Sequence, residues 1–178
     1  MVTKNVEKAL NEQIKKEEHS SRIYLAMASW CERNGYPGAS DFLYAQTEEE
    51  RMHMLKLVHY LNDRGGNVIV DKLEAPAAKY KSLLEVFQQV LKHEEYISAS
   101  INELYAVCVK EGDFTTANYL QWYINEQIEE ESTARGILDQ INLAGAEKGG
   151  LFMVDKELVN LAKAKKAQEV TGSASPGG

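Results

Sequence analysis

The chain has 178 residues, enough for one domain with a sizeable core, and its 27 acidic against 20 basic residues leave a formal net charge of −7. That balance argues against a nucleic-acid binder, which needs a basic surface, and is compatible with attracting cations. Cys31 and Cys108 suit neither a disulfide framework nor a thiolate metal site, and neither a charged-then-apolar leader nor a run of transmembrane length is present, so a soluble cytoplasmic protein with no membrane partner is expected.

Ala, Glu, Lys, Leu and Gln abound and prolines number three, which favours helix over strand. From about Thr3 to Arg33, small or apolar groups recur at Val6, Leu10, Ile14, Ser21, Tyr24, Ala28 and Cys31, in steps of three and four. Glu17 interrupts that stripe. After the turn at residues 34–38, a second helix from about Ala39 to Arg64 carries Leu43, Gln46, Glu50, His53, Leu57 and Tyr60 on one face, again polar at the centre.

Residues 66–82 have no helical period. Extended, they reach roughly 55 Å at about 3.3 Å per residue, against about 40 Å for a helix of this length, so the link can cross a whole bundle. The short links near 34–38 and 112–114 imply antiparallel hairpins. A third helix, about Leu83 to Lys110, places Leu83, Phe87, Val90, Glu94, Ile97, Ile101, Leu104 and Cys108 on one face, with Glu94 the only charge. The fourth, about Thr115 to Ala144, reads Leu120, Tyr123, Gln127, Glu130, Ala134, Ile137 and Ile141. Gly145 and Gly149-Gly150 are expected as breaks, and Asp155 as the N-cap of a short fifth helix ending near Lys166. A domain over 1–170 and a disordered tail over 171–178 are expected from the Gly/Ser-rich end.

The two hairpins repeat. One offset takes Glu17 to Glu94, Glu49 to Glu126, Glu50 to Gln127, His53 to Glu130 and Gly35 to Gly112. A full-length crossover would relate the hairpins by a pseudo-two-fold axis, bring Glu17 to Glu94 and send Cys31 and Cys108 to opposite ends. Four stripes interrupted at mid-helix then put Glu17, Glu50, Glu94 and Glu130 in one layer, with His53 and Gln127 beside them. No Lys or Arg lies in these stripes, so four buried carboxylates could not all stay ionised. Two divalent cations would supply +4 against −4. The oxygen-rich set with one imidazole suits iron or manganese, with zinc able to compete. Glu49, Glu126 and Glu129 form an acidic shell for a third, looser ion, and Tyr24 shares a face with Glu17 and can donate a hydrogen bond or an electron there.

The combination Glu17, Tyr24, Glu50-x-x-His53, Glu94 and Gln127-x-x-Glu130, with Glu49, Glu126 and Glu129 beside it, resembles the ferroxidase-centre and third-site pattern of bacterial non-haem ferritins, over nearly the whole chain. The resemblance implies an all-α, ferritin-like four-helix bundle with a long crossover between the second and third helices and a short fifth helix at a four-fold axis. It implies iron storage with ferroxidase activity: Fe(II) oxidised by O2 or H2O2 and ferric mineral deposited in a homo-oligomeric cage of 24 subunits. Glu17, Glu50 and His53 would bind one iron, Glu94 and Glu130 the other, with Glu50 bridging. Bacterioferritins carry a second Glu-x-x-His where this chain has Gln127-x-x-Glu130, so the second iron should bind more weakly. Met52 is expected to pack rather than hold haem, His19, His59 and His93 to lie on the surface, and Trp122 to pack. A rubrerythrin-like oxidase lacks support because no Cys-x-x-Cys pair is present, and a non-catalytic helical oligomer with a protonated polar layer is the other alternative.

Overall fold

The computed structural model describes residues 2–145 and 148–172. Five helices follow one another: α1 Lys4–Arg33, α2 Pro37–Asp63, α3 Leu83–Lys110, α4 Phe114–Ala144 and α5 Lys148–Gly172. The helix starts follow from side-chain chemistry. Thr3, Ser82 and Asp113 each accept a hydrogen bond from the backbone N–H three residues on, satisfying one of the donors a helix start leaves open. Pro37 opens α2, where its missing N–H costs nothing. Gly35 and Gly112 end α1 and α3 with φ of 83° and 70°, a left-handed conformation that glycine adopts without a Cβ penalty.

α1 and α2 form one antiparallel hairpin, tied by Ser21 Oγ donating to the Thr47 carbonyl and Ser40 Oγ to that of Ala28. α3 and α4 form the other. The link between them runs the length of α1: Asn11 bonds Asn67 and Ile69, Lys15 pairs with Asp71 at 2.6 Å, and Tyr80 ends edge-on to Trp30. Gln13 with Ser100, and Ser20 with His93, place α1 antiparallel to α3 and bracket Glu17 and Glu94.

Two apolar clusters fill the bundle, one at each end. Tyr24, Met27, Phe42, Phe87 and Ile137 anchor the first, which also holds Cys31. Leu10, Leu57, Ile101, Leu104 and Leu120 anchor the second, which holds Cys108. Each large side chain so buried contributes about 1.5–3 kcal/mol. Between the clusters lies the polar waist.

The fifth helix departs from the sequence expectation. It begins at Lys148 and runs through Gly149-Gly150 and Asp155, then on through Thr171 and Gly172, two residues into the segment expected as tail. Residues 173–178 lie outside the described residues. Gly150 fits because a Cβ there would sit 2.7 Å from the Ala144 carbonyl oxygen, so its bareness lets α5 start against the end of α4. Asp155 caps α2 rather than its own helix: its Oδ2 and Oδ1 accept from the N–H groups of Gly38 (3.0 Å) and Ala39 (2.8 Å). α5 then lies along α2 and α4, burying Val154, Leu158 and Ala162 in the first cluster. Among the described residues, no helix is long and apolar enough to cross a membrane.

Candidate metal centre

Glu17 of α1, Glu50 and His53 of α2, Glu94 of α3, and Gln127 and Glu130 of α4 meet in the waist, each between 1% and 5% exposed. Every one occupies a position where its helix would otherwise present an apolar side chain to the core. The ligand atoms of Glu17, Glu50 and His53 lie within 4.8 Å of one another, with His53 Nδ1 3.7 Å from Glu50 Oε2.

Their supports differ. Glu17 Oε1 accepts from Gln13 Nε2 at 2.7 Å, and Gln13 Oε1 in turn accepts from Ser100 Oγ at 2.8 Å. Glu17 Oε2 is buried with no hydrogen-bond partner, an uncommon and costly state for a carboxylate oxygen. Glu94 accepts from the Tyr24 hydroxyl and, at 3.0 Å, from Gln127 Nε2. Glu130 Oε2 accepts from Gln46 Nε2 at 2.9 Å. Tyr123 fixes the α2 backbone by donating to the His53 carbonyl at 2.8 Å, and its ring and that of Trp122 meet the imidazole edge-on.

Burial dominates the electrostatics of the layer. It pushes the Glu17 carboxyl up to about 8, with the Glu50 charge adding to the shift. Glu94 rises to about 7 from burial and the nearness of Glu130, and Glu50 rises well above the carboxylate range from burial, Glu94 and Glu130. The Tyr24 phenol is also raised, by burial and by Glu94. Buried together, these carboxyls favour the protonated form, and an approaching cation would have to displace protons.

Beside this layer, Glu49, His53 and Glu126 also bring ligand atoms within 4.8 Å of one another. Burial raises both carboxyls. Glu129 is exposed on α4 and is not among the residues that meet.

One participant comes from outside the four stripes. Lys165 of α5 donates from Nζ to Glu130 Oε1 at 2.6 Å and to Glu49 Oε2 at 2.5 Å. The absence of Lys and Arg from the bundle's inward faces therefore does not leave the carboxylates without a cationic partner: α5 brings one ammonium to their edge. The spacing of α5 puts Lys165 on the same face as Leu158 and Ala162, but does not indicate which carboxylates it meets. Gln13 was discoverable, lying one helical turn before Glu17. His93, expected on the surface, is half-buried: Ser20 Oγ lies 2.7 Å from its Nε2, its ring meets Tyr24 edge-on, and burial lowers its pKa to about 4. His19 is likewise half-buried, whereas His59 is exposed and Met52 is 37% exposed on α2. Trp122 is equally exposed, edge-on to His53 with the Lys56 ammonium over its ring.

A ferritin-like domain family matches residues 7–144. The chain is 43% identical to a bacterial non-heme ferritin of Campylobacter jejuni over 93% of its own length and 99% of the relative's. It is 43% identical to a bacterial non-heme ferritin of Escherichia coli, over 85% of this chain and 92% of that one. Among solved structures, the open pore ferritin of Archaeoglobus fulgidus superposes with a TM-score of 0.88 at 38% identity, covering 89% of this chain and 98% of the other. With the family model spanning most of the chain and relatives at 43% identity over nearly their whole length, the chain belongs to the ferritins, a family of iron-storage proteins.

Proposed function

We propose that the protein is a ferroxidase and iron store, taking Fe(II) in pairs at the waist and passing ferric iron to a mineral inside a cage of 24 copies in the cytoplasm. The observation that carries this reading is the convergence of four buried carboxylates and one imidazole from four helices, with Glu17 Oε2 left without a donor. Such a donor set fits a hard-to-borderline divalent cation, and iron is the substrate the family stores.

Glu17, Glu50 and His53 hold one Fe(II), and Glu94 and Glu130 the second, with Glu50 between them; Gln127 orients Glu94. Each Fe(II) gives up one electron, so the pair reduces O2 to peroxide, or H2O2 to water, with two protons taken up. The carboxylates supply no redox chemistry. They lower the cost of Fe(III), whose extra charge the acidic waist favours over Fe(II). Tyr24 orients Glu94 and stands near enough to donate an electron. Glu49 and Glu126, with Glu129 toward solvent, form a looser third seat on the way to the mineral, and no haem takes part.

Assembly into a homo-oligomer is supported by large apolar side chains in the exposed set: Tyr96, Phe114, Ile128, Leu143 and Phe152 are all more than half exposed. Gel filtration is expected to give a mass near 24 subunits, and a small oligomer would remove the cage.

The centre itself is tested by anaerobic Fe(II) titration followed by air, comparing wild type with His53→Ala and Glu130→Ala. His53→Ala should lose the tighter Fe(II) and Glu130→Ala the weaker one, and both should oxidise iron slowly. Unchanged binding and oxidation in both variants would remove the proposed site.

A further inference from the structure

The two halves of the waist are not equally available. On the α1–α2 side, Glu17, Glu50 and His53 face one another with an oxygen of Glu17 unpartnered. On the α4 side, both oxygens of Glu130 are engaged: Oε2 by Gln46 and Oε1 by Lys165. The same ammonium takes Glu49 Oε2, so it bridges one ligand of the central layer and one of the outer acidic pair. It is largely withdrawn from solvent, with the Lys165 side chain 13% exposed and those of Glu49 and Glu130 12% and 4%.

The position is built rather than incidental. α5 is anchored upstream by Asp155 on the start of α2, and by Val154, Leu158 and Ala162 in the core. Lys165 follows Leu158 and Ala162 at helical spacing, about 15 Å along the axis from Asp155. α5 is thus held at one end by a cap and at the other by its ammonium.

We propose that Lys165 is a tethered cation that fills the Glu130 half of the centre, so that a second metal ion binds only by displacing it and loosening the C-terminal part of α5 from α2. This rests on the reading of the waist as a two-iron site, and adds to it an order of filling and a movement. The first ion enters at Glu17, Glu50 and His53 without disturbing α5. The second exchanges a +1 charge attached to the chain for a +2 charge that is not. Occupancy of the second seat is thereby coupled to the docking of α5, and by reciprocity anything that undocks α5 tightens that seat.

The test uses the full-length assembled protein and Zn(II), a redox-inert probe of both seats, under calorimetry, with hydrogen exchange followed over residues 154–167. In wild type, one tight and one weaker ion should bind at the waist, ahead of any looser ion at Glu49 and Glu126, and α5 exchange should rise only as the second fills. Lys165→Met should tighten the second ion by about 10-fold or more, within the range usual for coupling between sites, and leave the first unchanged. Lys165→Arg, which keeps the charge, should stay near wild type. Should Lys165→Met not fold, the exchange experiment on wild type and the Arg variant still decide. Equal second-ion affinity in wild type and Lys165→Met, or α5 exchange unchanged at saturation, would overturn the gate alone. No ion bound in wild type, with Glu17→Gln behaving identically, would overturn the two-metal reading and the gate together.

Discussion

Asp155→Ala tests how α5 is held. The carboxylate accepts from two backbone N–H groups at the start of α2 and is itself buried. Hydrogen bonds to a charged acceptor contribute about 1.5–3 kcal/mol each, and removal of a helix cap costs about 0.5–2 kcal/mol. The two bonds share one acceptor group, so about 2–4 kcal/mol is a reasonable total. Against this, the apolar contact of α5 rests mainly on Val154 and Leu158, at about 1.5–3 kcal/mol each as an upper bound. Loss of the cap therefore removes much of what keeps α5 docked, while α1–α4 retain the second cluster whole and most of the first. Native-state hydrogen exchange should show residues 154–167 exchanging at least about 30-fold faster, the equivalent of 2 kcal/mol, with mid-helix amides of α1 and α3 unchanged. Asp155→Asn keeps an acceptor oxygen but loses the charge and one bond, and should fall between. Protection of α5 within about twofold of wild type, or a loss spread evenly over all five helices, would refute the reasoning.

Gly38→Ala attacks the same junction from the other side: its Cβ would lie 1.7 Å from the Asp155 backbone oxygen, which no rotamer change relieves, so α5 must shift and the thermal midpoint should drop by several degrees. The metal-free protein should lose stability as pH rises. Glu17 and Glu94 have folded pKa values of about 8 and about 7, above their unfolded values near 4.5, so the folded state binds more protons between those limits. Their contribution is full below about pH 4.5 and is lost as pH rises through about 7 and then about 8, which melting curves between pH 5 and 9 should show as a falling midpoint for these groups. Metal binding near pH 6.5 should release protons, seen as a dependence of the calorimetric heat on buffer ionisation enthalpy; no dependence would mean that the waist is already ionised. Tyr24→Phe removes the hydroxyl that Glu94 accepts from; Fe(II) stoichiometry should hold while stopped-flow oxidation slows severalfold, and an unchanged rate would leave Tyr24 a packing residue.

The bundle and its waist were legible because both follow from period. Helical spacing puts Glu17, Glu50, Glu94 and Glu130 on inward faces whatever the rest of the chain does, and a link spanning residues 66–82 permits one natural topology. What was not legible depends on docking between distant segments. Asp155 reads as a cap for the helix it sits in, because spacing cannot indicate that the N–H groups it satisfies belong to Gly38 and Ala39. Gly149-Gly150 reads as a break, because the benefit of a missing Cβ at Gly150 exists only against Ala144. Lys165 reads as one of several basic residues on an amphipathic helix, since its partners lie 116 and 35 residues away. His93 was placed outside by its offset from the stripe, yet the small side chain of Ser20 leaves room for its ring.

The crossover pinned along α1 has one more consequence. A single hairpin, pairing with a copy of itself, could build the same interior, but both halves would then be identical by symmetry and any pair of ions would sit in equivalent berths. Fusing the hairpins through residues 66–82 frees each to drift from the other. That freedom is what allows an imidazole at residue 53 to be answered by a carboxylate at residue 130, so that on the proposed reading one berth retains its guest while its neighbour hands it on.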